Sequence, residues 1–405
     1  MLAIQTSPAL NPAAISQSTV NNTQVQLGDV FSTQTLNVVD VSDSTTATTS
    51  ASGNTVSSAV VSGSLNVQSS QTMSANANAQ TTVNVTTNAG AQAVLNTSAL
   101  GNGSDAGSFE GAPVTGVISQ TAGPVQILAT SNFNAQNAQT GVDSSSVASF
   151  GVQAIANSHG VTVSDTSANT TTTQTSSAQT EADGGAVLKY TPGTAAASAT
   201  GVSNNLTGAG SGNASQTLTA TQTMNGPLTQ ATQSINLGNG QTIQSNATAS
   251  ANNIYVSNEN GPLAVTDSQT NSGFTFAQSV ATGFEFGSGQ ASSDAVADSV
   301  LVGNAGAQTS LDNTQSNSGG VAANASFSGN NGFDAASSAT AMGNAATGFA
   351  CSDCNGVVNV NNNQMNSGGV SATSTIEVAA PNRSVNASAT AVGNNATFYV
   401  SKPSH

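Results

Sequence analysis

Charge is nearly absent from this sequence: 3 Lys+Arg and 18 Asp+Glu leave only 5% of 405 residues charged, where an ordinary globular domain has roughly a quarter. An ion-covered surface is therefore excluded. The basic residues Lys189, Arg383 and Lys402 are scattered, so no cluster exists to neutralise phosphates, and neither nucleic acid nor an anionic membrane is an expected partner. The net charge of −15 is spread thinly along a long chain.

Chemistry-bearing residues are as scarce. The 2 cysteines, Cys351 and Cys354, stand in one Cys-Ser-Asp-Cys run. They exclude a disulfide framework and, without a second pair, a zinc site. Between them a local disulfide is favoured over two free thiols. The 2 histidines are His159 and the terminal His405; no Gly-x-Ser-x-Gly elbow singles out a serine to pair with His159, so it reads as a polar loop residue in Asn157-Ser-His-Gly160. Asp294 and Asp298 would share one face of an alternating strand, yet no calcium-loop pattern adjoins them, and they read as solvated carboxylates. No catalytic residue, metal site or cofactor is expected. No apolar run approaches the roughly 20 residues of a membrane-spanning helix. The start, Met1–Pro8, lacks the basic and apolar regions of a secretory signal, so a signal is expected to have been removed already. There are 3 Tyr and no Trp, so a sugar-binding face would rest on amides and hydroxyls with Tyr190 or Tyr255.

What the chain does have is Gly, Ala, Val, Ser, Thr, Asn and Gln, with 37% hydrophobic residues. That is enough for a narrow core lined by small side chains rather than for disorder. The core is built by repetition. Gln-x-Asn-Ser-Gly occurs as Gln269-Thr-Asn271-Ser-Gly273, Gln315-Ser-Asn317-Ser-Gly319 and Gln364-Met-Asn366-Ser-Gly368, with successive Gln residues 46 and 49 positions apart. A second marker alternates small residues up to a Gly-Asn: Ser388-Ala389-Thr390-Ala391-Val392-Gly393-Asn394, Ser338–Asn344 and, more loosely, Asp298–Asn304. Fainter copies end at Gly101, Gly151 and Gly201.

Alternation with period two puts Ala387, Ala389 and Ala391 on one face and Asn386, Ser388 and Thr390 on the other, which is strand behaviour. The expected fold is all-β: an elongated repeat rod, β-solenoid or β-helix-like, in which Gln269, Asn271, Gln315, Asn317, Gln364 and Asn366 stack as amide ladders. Each unit would hold two rungs, or one rung with a flanking hairpin. The boundaries expected are an extended N-terminal arm at 1–28, an irregular β-repeat region at 29–258, three regular repeats at 259–306, 307–354 and 355–400, and a tail at 401–405. The last strand carries Phe398, Tyr399 and Val400, an apolar, uncharged edge suited to pairing with another chain.

The Gln-x-Asn-Ser-Gly repeats, the Ser-Ala-Thr-Ala-Val-Gly-Asn-Asn run at 388–395 and the charge-poor composition resemble the curlin-associated secreted surface proteins of Gram-negative bacteria. More closely they resemble the larger holdfast-anchor proteins of stalked alphaproteobacteria, the holdfast attachment protein D family. The resemblance covers most of the chain. It implies an extracellular anchor at the outer membrane that tethers a polysaccharide adhesin, is exported through a curli-type lipoprotein channel and works beside a smaller curlin-like subunit. The units are longer and less regular than those of curlin, which sets the chain apart from a self-templating subunit. Assembly is expected to run head to tail, with itself or with the curlin-like partner. The competing readings are a carbohydrate-binding or polysaccharide-processing β-helix and a phage-type fibre; the first would need carboxylates recurring at the repeat spacing, and the acids here are scattered.

Overall fold

The computed structural model describes residues 17–306, 308–351, 356–379 and 383–401. The chain winds as a three-walled parallel β-helix of eight rungs. The first three rungs each have three strands: β1 (Gln17–Gln26), β2 (Val30–Asp40) and β3 (Ser44–Val61); β4 (Ser64–Met73), β5 (Ala77–Asn88) and β6 (Gln92–Phe109); β7 (Val114–Ala122), β8 (Gln126–Gln139) and β9 (Val147–Ser164). In the next four, the second and third walls are one long bent strand. These are β10 (Ser167–Ser176) with β11 (Gln179–Ser211), β12 (Ser215–Met224) with β13 (Leu228–Asn258), β14 (Leu263–Asn271) with β15 (Phe274–Asn304), and β16 (Gln308–Asn317) with β17 (Val321–Cys351). The eighth rung returns to three strands, β18 (Val357–Asn366), β19 (Val370–Val378) and β20 (Ser384–Ser401). Among the described residues there is no helix.

Each repeat is thus one three-walled rung, not two rungs and not a rung with a hairpin. The first wall is an eight-stranded parallel sheet running β1-β4-β7-β10-β12-β14-β16-β18. The second wall runs from β2 to β19 and the third from β3 to β20, joined through the long strands. Residues 17–26 of the expected N-terminal arm are inside the stack, because β1 pairs with β4 from Gln17↔Ser64 to Gln26↔Met73; residues 1–16 lie outside the described residues.

Parallel in-register pairing puts equivalent residues directly above one another, and this dictates the composition. One inward column of the third wall reads Ala51, Ala99, Ala154, Gly201, Ala249, Ala295, Ala341 and Ala391 through all eight rungs. Small side chains let the walls approach. The gaps are filled by a few aromatics: Phe133 against Phe150 at 4.6 Å and Phe286 edge-on to Phe327 at 5.0 Å between ring centroids. One core packs the second wall on the first half of the third, with Val83, Leu95, Ile127 and Phe327. The other packs the first wall on the remaining half, with Leu65, Val114, Leu218 and Val302.

The Gln-x-Asn-Ser-Gly motif makes the corner between the first and second walls. Asn317 donates to the Gly319 carbonyl at 3.1 Å while its own carbonyl accepts the Gly319 N–H at 3.1 Å, so the side chain closes the turn. Glycine follows because a Cβ at Gly319 would sit 1.9 Å from the Gly273 carbonyl oxygen of the rung below. The second-marker copies need correction. Asn344 lies over Asp298, not Asn304, so the loose Asp298–Asn304 copy is out of register. Gly151 pairs with Asn96 below and Ser198 above, not with Gly101 or Gly201; the even spacing of those three glycines is coincidental.

Phe327 is fully buried, and Phe327→Ala removes a ring that no neighbour can replace. The substitution should cost about 3–5 kcal/mol, read as a lowered midpoint in urea unfolding followed by circular dichroism; an unchanged midpoint would contradict the packing described.

Candidate functional site

Two amide columns run through the inside of the stack where the first wall meets the middle of the third. The first consists of Gln24, Gln71, Gln120, Gln174, Gln222, Gln269, Gln315 and Gln364. Each Nε2 donates to the Oε1 of the Gln one rung below, at 2.7–2.8 Å in every step. The other N–H of each donates to a third-wall carbonyl, as Gln222 does to Asn253 at 3.0 Å and Gln269 to Ser299 at 2.9 Å. Both hydrogens and the carbonyl of each interior amide are used, so burial leaves no polar group orphaned. The expected ladder residues Gln269, Gln315 and Gln364 belong to this column. Asn271, Asn317 and Asn366 form a shorter one, donating upward at 2.9 and 2.7 Å.

The second full-length column is Asn54, Asn102, Asn157, Asn204, Asn252, Asp298, Asn344 and Asn394. Its asparagines donate in the opposite direction, from each Nδ2 to the Oδ1 of the rung above, at 2.8, 2.8, 2.9 and 2.8 Å up to Asn252. Asn252 donates to Asp298 at 2.7 Å and Asn344 to Asn394 at 2.6 Å. The remaining N–H of each bonds a first-wall carbonyl of the next rung, for example Asn204 to Thr223 at 3.0 Å. This column was not identified from the sequence. Its signal was present in Gly101-Asn102, Gly343-Asn344 and Gly393-Asn394, and it was hidden because Asp298 replaces Asn in the sixth rung.

Other sequence-stated residues lie as follows. His159 is not in a loop: it is fully buried on β9, with Nδ1 2.6 Å from Ser104 Oγ and no partner on Nε2. Burial pushes its imidazole down to about 4, against a hydrogen bond to the Ser104 backbone that acts the other way. Asp294 and Asp298 do not share one face, and Asp298 is not solvated. Two successive inward residues, Ala297 and Asp298, shift the alternation of β15, leaving Asp294 half-buried on the outside and Asp298 fully buried. Cys351 ends β17 and is buried; Cys354 lies outside the described residues. Among the described residues no three of His, Cys, Asp and Glu are grouped to hold a metal, and no helix could cross a membrane.

The ends of the stack are unlike its middle. Inward residues of the first wall are buried in β4 and β12 but only half-buried in β1 and β18, so a cross-section of the core faces outward at each end. Tyr399 and Val400 are 46% exposed at the upper end, and the Tyr399 ring stacks on Phe349 at 5.9 Å; Phe398 packs partly against the second core. A groove of ≈550 Å³ crosses a corner of the fourth to seventh rungs between Tyr190, Asn239, Gln241, Glu285, Phe286 and Phe333. Glu285 is its one carboxylate, whereas glycoside hydrolysis by the usual routes requires two. Tyr255 lies elsewhere on β13, half-exposed.

Two outcomes follow. Gln222→Leu orphans the Gln174 carbonyl below and a Gln269 N–H above, and should cost about 2–5 kcal/mol in urea unfolding, whereas Gln364→Leu in the open last rung should cost less. The His159 imidazole, titrated by NMR, should stay neutral down to about pH 4. Because the folded chain resists this protonation, the residue destabilises the fold as pH falls below the ordinary 6.5 and the loss levels off below about 4. A titration midpoint near 6.5 would contradict its burial.

Comparison with known proteins adds one finding. A family model described as holdfast attachment protein D matches residues 39–320, from the end of β2 to the start of the seventh rung's long strand. No curated protein and no solved structure matches the chain. The match covers well over half of the sequence, from β3 of the first rung through β16 of the seventh: the chain belongs to the holdfast attachment protein D family.

Proposed function

We propose that this protein is a non-enzymatic structural anchor of the bacterial surface, which assembles head to tail and ties an extracellular polysaccharide adhesin to the outer membrane. Membership of a holdfast attachment family supports the role in attachment. The observation that carries the assembly is the polarity of the two ladders. In the Gln column the N–H groups point down the stack, so the lower end offers the second N–H of Gln24 and the upper end the carbonyl of Gln364. In the Asn column they point up, so the lower end offers the carbonyl of Asn54 and the upper end an N–H of Asn394. Upper and lower ends are therefore complementary in both columns. A second copy set on top continues both ladders, and a contact of this kind propagates rather than closing. Phe398, Tyr399 and Val400 would be covered at the same junction.

Eight rungs at roughly 4.8 Å spacing rise only about 34 Å from first to last, so a tether longer than this needs several copies. A smaller curlin-like subunit with the same ladder polarity could occupy either end, and export would use a curli-type lipoprotein channel. The groove at Tyr190, Gln241 and Phe333 supports polysaccharide contact, since it offers aromatic faces and amides together.

Gln24→Glu keeps the acceptor for Gln71 and removes the downward donor; Asn394→Asp does the same at the other end. Electron microscopy of the purified chain should show end-to-end polymers, shortened or absent in either variant, with folding retained. Polymers of unchanged length in both variants would overturn the reading, as would hydrolysis of bacterial exopolysaccharide by the pure protein.

A further inference from the structure

Two buried carboxyl groups lie at the contact between the sixth and seventh rungs: Asp298 interrupts the Asn column, and Asp267 stands on the first wall above Ala220 and below Asn313. In the Asn column Asp298 is fully buried; its Oδ1 accepts the Asn252 amide at 2.7 Å, and its Oδ2 has no partner among the described residues. Directly above it, Asn344 gives its N–H groups to the Met365 carbonyl at 2.8 Å and to Asn394 at 2.6 Å. Both partners are acceptors, which fixes the orientation of that amide. Its Oδ1, which in every rung from Asn102 to Asn252 accepts from the residue below, has no donor. On the first wall Asp267 is 3% exposed and neither of its carboxyl oxygens has a partner. The residue above it is Asn313, which donates to Asn362 and whose Oδ1 is also without a donor. Two acids thus lie beneath two asparagine carbonyls that lack a proton.

We propose that Asp267 and Asp298 are proton-binding sites, held as neutral carboxylic acids at neutral pH, whose O–H groups donate to the carbonyls of Asn313 and Asn344. At 298 a neutral acid has the one donor and one acceptor that the ladder needs, as an amide does, and at 267 its O–H supplies the donor that Asn313 lacks; an ionised acid is acceptor-only and would face another acceptor. The contact between the sixth and seventh rungs is then a proton-dependent seam in an otherwise uncharged stack.

The electrostatic surroundings agree. Burial pushes Asp298 up to about 8, against the Asn252 hydrogen bond that lowers it. Asp267 is raised well above the usual carboxylate range, first by burial and then by Asp298 and the exposed Asp312 of β16. Among the remaining ionisable groups of the packed strands, Tyr255 of β13 and Tyr399 of β20 are exposed, and Asp334 of β17 is bound to Arg383. Asp294 and Glu285 share β15 with Asp298; Asp294 is half-buried on the opposite face and Glu285 lines the corner groove. β12 has no ionisable side chain. Neither described basic residue offsets the pair, since Arg383 is engaged and Lys189 belongs to β11, two rungs below.

The sign follows from linkage. The unfolded carboxyls ionise near 3.8 and the folded ones much higher, so the stabilisation is fully present below about pH 4, declines as pH rises, and is lost by about pH 8 at Asp298. Each acid changes the unfolding constant of the seam about tenfold per pH unit in that window.

The test uses the full chain and the double variant Asp267→Asn/Asp298→Asn, which restores the column's amide at 298 and puts a neutral side chain of the same shape at 267. Between pH 6.5 and 9, above the range in which His159 titrates, wild type should lose urea stability, with hydrogen exchange of β16 and β17 accelerating more than that of β12 and β13 after correction for intrinsic rates. The double variant should show neither change. Infrared spectra of wild type at pH 6.5 should contain the carbonyl stretch of protonated carboxyl groups, missing from the variant. The proposal is overturned if wild type and variant respond to pH in parallel, if the infrared band is absent, or if sodium or potassium ions restore stability at pH 9, which would make the pair a cation site instead.

Discussion

Everything in this fold depends on in-register parallel stacking, which places each side chain about 4.8 Å from its counterpart above and below. A charged residue under those terms meets its own charge. Two unit charges at that distance repel by about 3 kcal/mol at an effective dielectric constant of 20, in every rung. An amide meets its copy with one donor and one acceptor already matched. The Gln column from Gln24 to Gln364, at 2.7–2.8 Å in each step, is the result. The 5% charged content and the wealth of Asn and Gln are two consequences of one geometry.

Much of this was legible in the sequence. The all-β solenoid, its amide ladders and the six residues Gln269 to Asn366 follow from motif spacing and composition, because in-register stacking forces equivalent positions to hold equivalent chemistry. What could not be read was whatever depends on how a rung folds back on itself. Nothing in a spacing of 46 to 49 residues distinguishes one three-walled rung from two smaller ones. The Asn column escaped notice because Asp298 interrupts its text and because the strand changes the parity of its inward positions just there. The same change of parity separated Asp294 from Asp298. His159 looked like a loop residue because its neighbours are Asn, Ser and Gly, yet in a stack of small side chains those are ordinary strand residues.

The ladders also join the fold to the role of the family. Amides that point one way along each column, down in the Gln ladder and up in the Asn ladder, give the stack two different ends, and the proposed head-to-tail assembly rests on the match between those ends. The deeply buried ionisable groups His159, Asp267 and Asp298 lie inside the stack. Among the described residues, fully or nearly fully buried carboxyl groups occur at Asp267 and Asp298 of the sixth rung, where the stack departs from an uncharged ladder.

The most direct measurement is a cryo-electron microscopy map of the assemblies formed by the full-length chain. The account predicts an unbroken column of rungs at roughly 4.8 Å, with a chain repeat of roughly 38 Å for eight rungs and Gln24 of one copy seated on Gln364 of the next. Two-fold dimers, with like ends facing each other, or junctions at which the columns stop, would contradict it.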